Sequence, residues 1–367
     1  MGSMMTELLV GIVGTGVISR AYLEIARDLG LFRVAAVTDL DLSRAEALAQ
    51  EFGVRALPMD ELLASSEIGA VVNLTPPAAH AGVSLAALNA GKHVYSEKPL
   101  ATSREDGQAI LETAARLGLR VGCAPDTFLG AGLQTARELL DAGTIGRPVG
   151  AAAFFMGSGP ERWHPDPGFF YQPGAGPLFD MGPYYLTALV SLLGGVTRVS
   201  GSASRAHEER VIGSGARQGE RVPVATPTHV TAQLEFGSGV SATFIASFDV
   251  QASELPRIEL YGTEGTLSLP DPNTFGGPLK LRRAGESDWT EVPLTRPFAK
   301  NARGIGLADL LDAEAHGTPH RASGELALHI LDIMTTVLEA AEQGRSLPLS
   351  SQANRPEALS PHPAWLP

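Results

Sequence analysis

The chain has 367 residues, 44% hydrophobic and 19% charged, which suits two globular domains that each bury a core and excludes a disordered chain. A formal net charge of -12, with no Lys/Arg-rich run, argues against a nucleic-acid surface. With one cysteine, neither an intrachain disulfide nor a multi-thiolate metal centre can form.

Met1-Gly2-Ser3-Met4 resembles an expression remnant and is set aside from fold reasoning. The N-terminal region lacks the basic and apolar stretches of a secretory signal, and no apolar run reaches the ~18 to 20 residues of a membrane span. A cytoplasmic protein is expected. From Leu8 the chain alternates short apolar runs with helical patterns, the mark of βαβ units. Strands are predicted over Leu8–Val13, Phe32–Thr38, Ala70–Leu74, His93–Ser96 and Leu119–Ala124. Helices are predicted between them, two of them over Ser43–Phe52 and Ser103–Leu117, stopped by Gly53 and Gly118. Right-handed crossovers would join these strands into one parallel sheet. Cys123 falls in the last of them and reads as a buried, inert thiol.

Beyond about Pro125 the pattern changes, which places a nucleotide-binding domain at 1–125 and a second domain at 126–367. A helix over Leu133–Leu140 precedes a Gly/Pro/aromatic stretch, Gly157–Pro183, that reads as a long functional loop. Thr197–Val292 reads mainly as strands with turn signals, such as Val230–Phe236 and Ala242–Val250, and so as a large, mainly antiparallel sheet. Polar Arg205–Pro227 reads as a surface excursion. Two helices, Ile305–Ala315 and Ser323–Gln343, close the domain before a Pro-rich tail. The fold class is therefore α/β.

Gly14-Thr15-Gly16-Val17-Ile18-Ser19 follows a strand and opens a helix, the context a dinucleotide fingerprint requires. Gly14 permits the tight turn, Gly16 admits a pyrophosphate to the backbone, and Ser19 is small enough for helix to pack on strand. The helix N-terminus favours the phosphates. Asp39 ends the second strand at the spacing of a ribose-binding acid; such a carboxylate would repel a 2′-phosphate and so favours NAD over NADP. Helix capping by Asp39 or Asp41 is the alternative, and Arg44 is near enough to accommodate a phosphate. Leu74, Thr75 and Pro76 follow the third clear strand, either as a cofactor-facing loop or as a simple helix entry. Lys98, in Glu97-Lys98-Pro99, comes directly after the next strand, where open α/β sheets bind ligands.

Together, these residues resemble the glucose-fructose oxidoreductase, inositol dehydrogenase and MocA family. The likeness rests on Gly14-Thr15-Gly16, Asp39, Thr75-Pro76-Pro77 with His80, Ala90–Val94 and Glu97-Lys98-Pro99. It continues through Gly143–Gly146 and Gly174–Gly182, nearly the whole chain. The resemblance implies an N-terminal Rossmann domain and a C-terminal α/β domain whose open sheet serves homodimer or homotetramer contacts. It implies oxidation or reduction of a sugar, cyclitol or related polyol, with Lys98 catalytic and Glu97 near the nicotinamide ribose. One departure matters. The histidine that often follows the aspartate matching Asp180 by four residues is Tyr184 here, and the later acidic position is Thr187.

Lys98 can stabilise charge developing on a substrate oxygen, and Tyr184 can act as acid/base with its pKa lowered by nearby positive charge. Asp180 would share a helix face with Tyr184 and orient a sugar hydroxyl or Lys98; Tyr185 is expected to pack. Trp163 and His164, with Phe169, Phe170 and Tyr171, could meet a sugar ring, or the loop could pack on itself or on another copy. His80 and His93 are expected to stabilise local structure, although the family match also puts His80 among cofactor-binding residues. No metal is expected, because Gly317 and Pro319 interrupt His316 and His320, and His207-Glu208-Glu209 lacks a second histidine. Alternatives are a glycosidase of the same fold that oxidises transiently, a non-catalytic nucleotide sensor, and an imine or enone reductase.

Overall fold

The computed structural model describes residues 8–366, so Met1–Met4 lie outside the described residues. In chain order the first elements are β1 (Leu9–Val13), α1 (Val17–Leu29), β2 (Arg33–Thr38), α2 (Leu42–Phe52), β3 (Arg55–Ala56) and α3 (Met59–Ala64). After these come β4 (Ile68–Asn73), α4 (His80–Asn89), β5 (His93–Ser96), α5 (Arg104–Leu117) and β6 (Val121–Cys123). Gly30, Gly53 and Gly118 end α1, α2 and α5 in the left-handed conformation, at φ of 62°, 69° and 67°. All six strands are parallel, in the order β3-β2-β1-β4-β5-β6. That is the doubly wound order of a dinucleotide-binding fold, with its switch point between β1 and β4. Because helices cover both faces of such a sheet, its central strands are largely apolar, and Val10, Ile12, Val71, Val72, Val94 and Tyr95 are fully buried.

The chain continues through α6 (Ala131–Asp141), β7 (Pro148–Met156), α7 (Gly176–Leu193) and β8 (Val196–Ser204). Next come β9 (Glu209–Val211), β10 (Arg221–Pro223), β11 (His229–Phe236), β12 (Ser241–Ser247), β13 (Ile258–Gly262) and β14 (Gly265–Leu269). It closes with β15 (Lys280–Arg283), β16 (Thr290–Glu291), α8 (Ile305–His316), α9 (Gly324–Gln343) and β17 (Leu347–Pro348). Nine of these strands form a sheet in the order β16-β15-β14-β13-β7-β12-β11-β8-β17. Only its β7–β12 pair is parallel. The alternating burial of β11 and β12 marks one face packed and one face open.

Two compact units result. One holds the chain through Leu129 with Asn301–Leu328 and the segment from Leu359; the other holds Gly130–Lys300 and His329–Ala358. The first unit retains α8 through polar ties. Buried Asp126 accepts from the Gly304 and Gly306 amides at 2.7 and 3.1 Å, satisfying the start of α8. Arg120 donates to Glu314 at 2.6 Å and to the Ala313 and Thr318 carbonyls near the end of α8.

Two expectations need correction. The long loop ends at Ala175, not Pro183, because α7 begins at Gly176 and carries Pro183 inside it. Pro183 lacks only one helical N–H, and burial of nearly all of α7 outweighs that loss. Nor is Arg205–Pro227 merely a surface excursion. Its strands β9 and β10 pair with each other, and Ile212, Val222 and Val224 bury with Tyr171 and Phe248 in a small separate core.

Candidate functional site

At the carboxyl end of the parallel sheet, the ladder runs one residue past each strand. The amides of Gly14, Leu74, Glu97 and Ala124 donate to the carbonyls of Thr38, Val13, Asn73 and Ser96, all at 2.8 to 2.9 Å. These bonds set the sequence-predicted residues in one row. Gly14 has a φ of +100°, and a Cβ there would lie 2.7 Å from the Leu74 carbonyl oxygen, so glycine is required. Nothing stands within 4 Å of a Cβ built on Gly16. Gly16 gives α1 no side-chain cap, and the Ser19 amide in its first turn donates to the Gly16 carbonyl at 3.1 Å. Ser19 is fully buried, its hydroxyl donating to the Gly16 carbonyl at 2.6 Å, as the small third position requires.

Asp39 stands at the end of β2, beside that turn. Its Oδ2 accepts from the Thr15 amide and hydroxyl, both at 2.8 Å, and its Oδ1 accepts from the Asp41 amide at 3.1 Å. Partial burial alone would raise its pKa; these three donors, with Arg44, outweigh burial and hold the carboxyl below its ordinary value. Asp41, not Asp39, caps α2, accepting from Ser43 N. Of an ionised carboxylate's roughly four acceptor positions, three are used, which leaves one for a ribose hydroxyl. Val17, first on α1, and Leu40, next after Asp39 in the chain, are 94% and 110% exposed, apolar side chains suited to a flat heteroaromatic ring. Ile18, next on α1, is half-buried. The glycine turn, the uncapped start of α1 and the anionic Asp39 thus fit a dinucleotide.

Beyond β4, Thr75 is fixed by Asn73, whose Oδ1 accepts its hydroxyl at 2.7 Å, while Pro76 is exposed. His80 is 1% exposed, with Nδ1 2.6 Å from the Pro99 carbonyl oxygen and Nε2 2.7 Å from that of Thr75. Glu97 turns inward: Tyr22 donates to its Oε1 at 3.3 Å, and the Lys98 amide to its Oε2 at 3.1 Å. Lys98 is half-buried and precedes Pro99 through a cis peptide bond. Cys123 is a buried thiol whose pKa burial pushes up, as an inert residue should show.

Within the second unit, Asp180 and Tyr184 lie four apart on α7, so they share one face of that helix. Asp180 is half-buried and Tyr184 buried at 9% exposure. Tyr185 is fully buried and packs its ring 6.2 Å from Phe155 and from Phe244, the packing role expected of it. Thr187 is also buried.

The aromatic loop is itself built on a buried polar network. Tyr171 and Arg210 both donate to the Glu161 carboxylate, and Arg210 also donates to Asp249. Thr228 completes Asp249 at 2.6 Å, and the Gly213 amide binds the Glu161 carbonyl at 2.7 Å. Burial, then the Glu161 charge, pushes the Tyr171 pKa up. Above this base His164 is ringed by Trp163, Phe169 and Phe170, with centroids at 5.3 to 5.4 Å. Its Nδ1 accepts from the Asp166 amide at 3.1 Å, so the neutral ring carries its proton on Nε2. Trp163 and Phe169 remain 67% and 54% exposed, a platform suited to the C–H face of a sugar ring. The ring nitrogens of His316 and His320 contact the Asp312 and Val121 carbonyls respectively. Among the described residues, no helix is long and apolar enough to cross a membrane.

Comparison with known proteins adds to this geometry. The family model described as an oxidoreductase family with an NAD-binding Rossmann fold matches residues 8–124. The GFO/IDH/MocA C-terminal domain matches residues 133–268. Inositol 2-dehydrogenase 3 of Saccharopolyspora erythraea is 28% identical over 356 residues, 93% of this chain and 95% of that protein. The dTDP-3,4-didehydro-2,6-dideoxy-alpha-D-glucose 3-reductase of Streptomyces antibioticus is 30% identical over 318 residues, 84% and 89% of the two chains. An NAD binding oxidoreductase from Klebsiella pneumoniae shares the fold, with a TM-score of 0.76 at 23% identity over 95% of this chain and all of that one.

Proposed function

The chain belongs to the Gfo/Idh/MocA oxidoreductase family, and from that premise we propose that it transfers hydride between NAD and a hydroxyl or carbonyl carbon of a sugar, cyclitol or related polyol. The observation that carries the reading is the position of Lys98. It stands one residue past the last ladder bond of β5, at the carboxyl end of a sheet whose glycine turn and Asp39 suit a dinucleotide. Bound NAD would supply the hydride acceptor. Gly14, Thr15, Gly16, Val17 and Ile18 would hold its pyrophosphate side, Asp39 its ribose, and Leu74, Thr75 and Pro76 the side toward nicotinamide. NAD is favoured over NADP because Asp39 is an anion with an acceptor position to spare, and a 2′-phosphate would meet that charge. Arg44 is the one nearby group that would temper the repulsion.

In this reading Lys98 hydrogen-bonds the substrate oxygen and stabilises its negative charge as hydride leaves the carbon. Tyr184, as the phenolate, accepts the hydroxyl proton in oxidation and, as the phenol, returns it in reduction, in place of the histidine this family often carries. Asp180, on the same helical face, orients a neighbouring hydroxyl. Trp163 and His164 meet the ring of the substrate, His164 offering an Nε2–H donor. Copies of the chain associate through the open face of the nine-stranded sheet.

The test is an NAD-coupled screen of monosaccharides, inositols, lactones and glycosides, repeated with NADP. NADH formation with a free polyol is the expected result. Glycoside cleavage without net NADH would identify a hydrolase working by transient oxidation. Complete inactivity across the panel, with NAD bound, would point to a nucleotide sensor.

A further inference from the structure

We propose that His80 is a positioning residue that ties the loop carrying Thr75 to the turn carrying Lys98. The inference rests on the reading of Lys98 as catalytic, but the tie itself is read from the geometry alone.

His80 opens α4 and is 1% exposed, so its ring reaches neither solvent nor a ligand surface. Each ring nitrogen instead meets a backbone carbonyl: Thr75 at 2.7 Å and Pro99 at 2.6 Å. These carbonyls lie 5 residues before and 19 residues after His80, on separate loops. The sheet cannot join them, because the ladder ends at Leu74 on one loop and at Glu97 on the other. Beyond that row the Lys98 amide has the Glu97 carboxylate, and Thr75 has Asn73. The two contacts of the imidazole join the loops. Its own backbone is anchored as well, since Asn73 Nδ2 donates to the His80 carbonyl at 2.9 Å and to Ser84 at 3.0 Å.

The chemistry of imidazole sharpens the role. A neutral ring has one N–H and can donate to one of the two carbonyls; the protonated ring donates to both. Burial lowers the His80 pKa, whereas the two carbonyls and Glu97 oppose that shift and Lys98 adds to it. With a carbonyl at each ring nitrogen, the tie is complete in the protonated ring, the form that burial disfavours, and is halved in the neutral one. Hydride transfer tolerates little error in distance, so a turn held at one end only would lose rate before it lost cofactor affinity.

The test compares wild type with His80→Phe, which fills the space without donors, and His80→Gln, which keeps an N–H. Hydrogen exchange on the cofactor-free proteins is read first. His80→Phe is expected to speed exchange in peptides spanning residues 74–79 and 97–103, with unchanged protection in β1 and β2. With NAD and an active polyol, kcat is expected to fall by about 10-fold or more while KM for NAD moves less than about 3-fold. His80→Gln is expected to recover part of the loss. Faster exchange confined to α4 would show a local helix role and overturn the proposal, as would an unchanged kcat beside normal binding. If wild type turns over no polyol, the functional reading fails, and the exchange pattern alone still decides for or against the tie.

Discussion

Acidification offers a test of the second unit that does not depend on any substrate. His329 is fully buried on α9; its Nε2 accepts from the Val196 amide at 3.0 Å, and its Nδ1 lies 2.8 Å from the Ser351 hydroxyl. That hydroxyl in turn donates to Asp332 Oδ2 at 2.8 Å, so Nδ1 carries the proton of a neutral ring. Protonating Nε2 would set one donor against another. Burial lowers the His329 pKa from its ordinary 6.5 to about 4, against the opposing pull of Asp332. The unfolded chain therefore binds a proton that the native state refuses, and stability must fall with pH. The contribution is fully present above 6.5 and is lost progressively as pH drops toward about 4. Linkage over that interval amounts to about 3 kcal/mol, of which about 2 kcal/mol is gone by about pH 5. Urea unfolding of wild type and His329→Gln between about pH 7.5 and 5 measures it, since the variant keeps an acceptor for Val196 but cannot titrate. The wild-type curve should fall more steeply by about 2 kcal/mol. Parallel curves would refute the assignment of a neutral buried imidazole.

The site residues yield further tests. Asp39→Asn removes the charge from the ribose acceptor and should weaken NADH binding by roughly 10- to 100-fold, following the ~1.5 to 3 kcal/mol of a hydrogen bond to a charged group. Fluorescence titration with NADPH in parallel should show the preference narrowing; an unchanged ratio would remove Asp39 from cofactor choice. Tyr184→Phe should lower turnover by roughly 10²-fold with NADH affinity intact, and Lys98→Ala should lower it further. A loss of only a few-fold would exclude Tyr184 as the acid/base. Arg210→Met leaves Glu161 and Asp249 buried without their shared partner and should cost about 3 to 5 kcal/mol in urea unfolding. Adding Glu161→Gln should recover part of that, and a Trp163 emission change should report the loosened loop.

The parallel sheet was legible because each of its signals is local. Strands buried on both faces are continuous apolar runs, and Gly30, Gly53 and Gly118 mark helix ends by the one conformation that favours glycine. Asp39 was legible by its spacing from the glycine turn. The start of α7 was not, since Gly174, Gly176, Pro177 and Pro183 imitate a loop, and only burial against the sheet selects the helix. Nor was the ribbon of β9 and β10, whose strands of three residues are too short to show alternation. Arg210 meets Glu161 across 49 residues and Asp249 across 39, separations that leave no trace in a local pattern.

The division between the legible and the hidden runs through the site itself. Backbone hydrogen bonds of the sheet fix Gly14, Leu74 and Glu97, and these are the positions that strand patterns locate. Thr75 and Lys98 stand one place further on, where the ladder has ended. There the Thr75 hydroxyl donates to the Asn73 side chain, the Lys98 amide donates to the Glu97 carboxylate, and His80 meets the Thr75 and Pro99 carbonyls. Glu97 is thus committed to two inward partners, Tyr22 and Lys98 N, before any nicotinamide ribose is considered. A glutamate so placed braces the Lys98 backbone. Substitutions at 80 and 97 should therefore act on rate through Lys98, whereas substitutions at 14 and 39 should act on cofactor affinity.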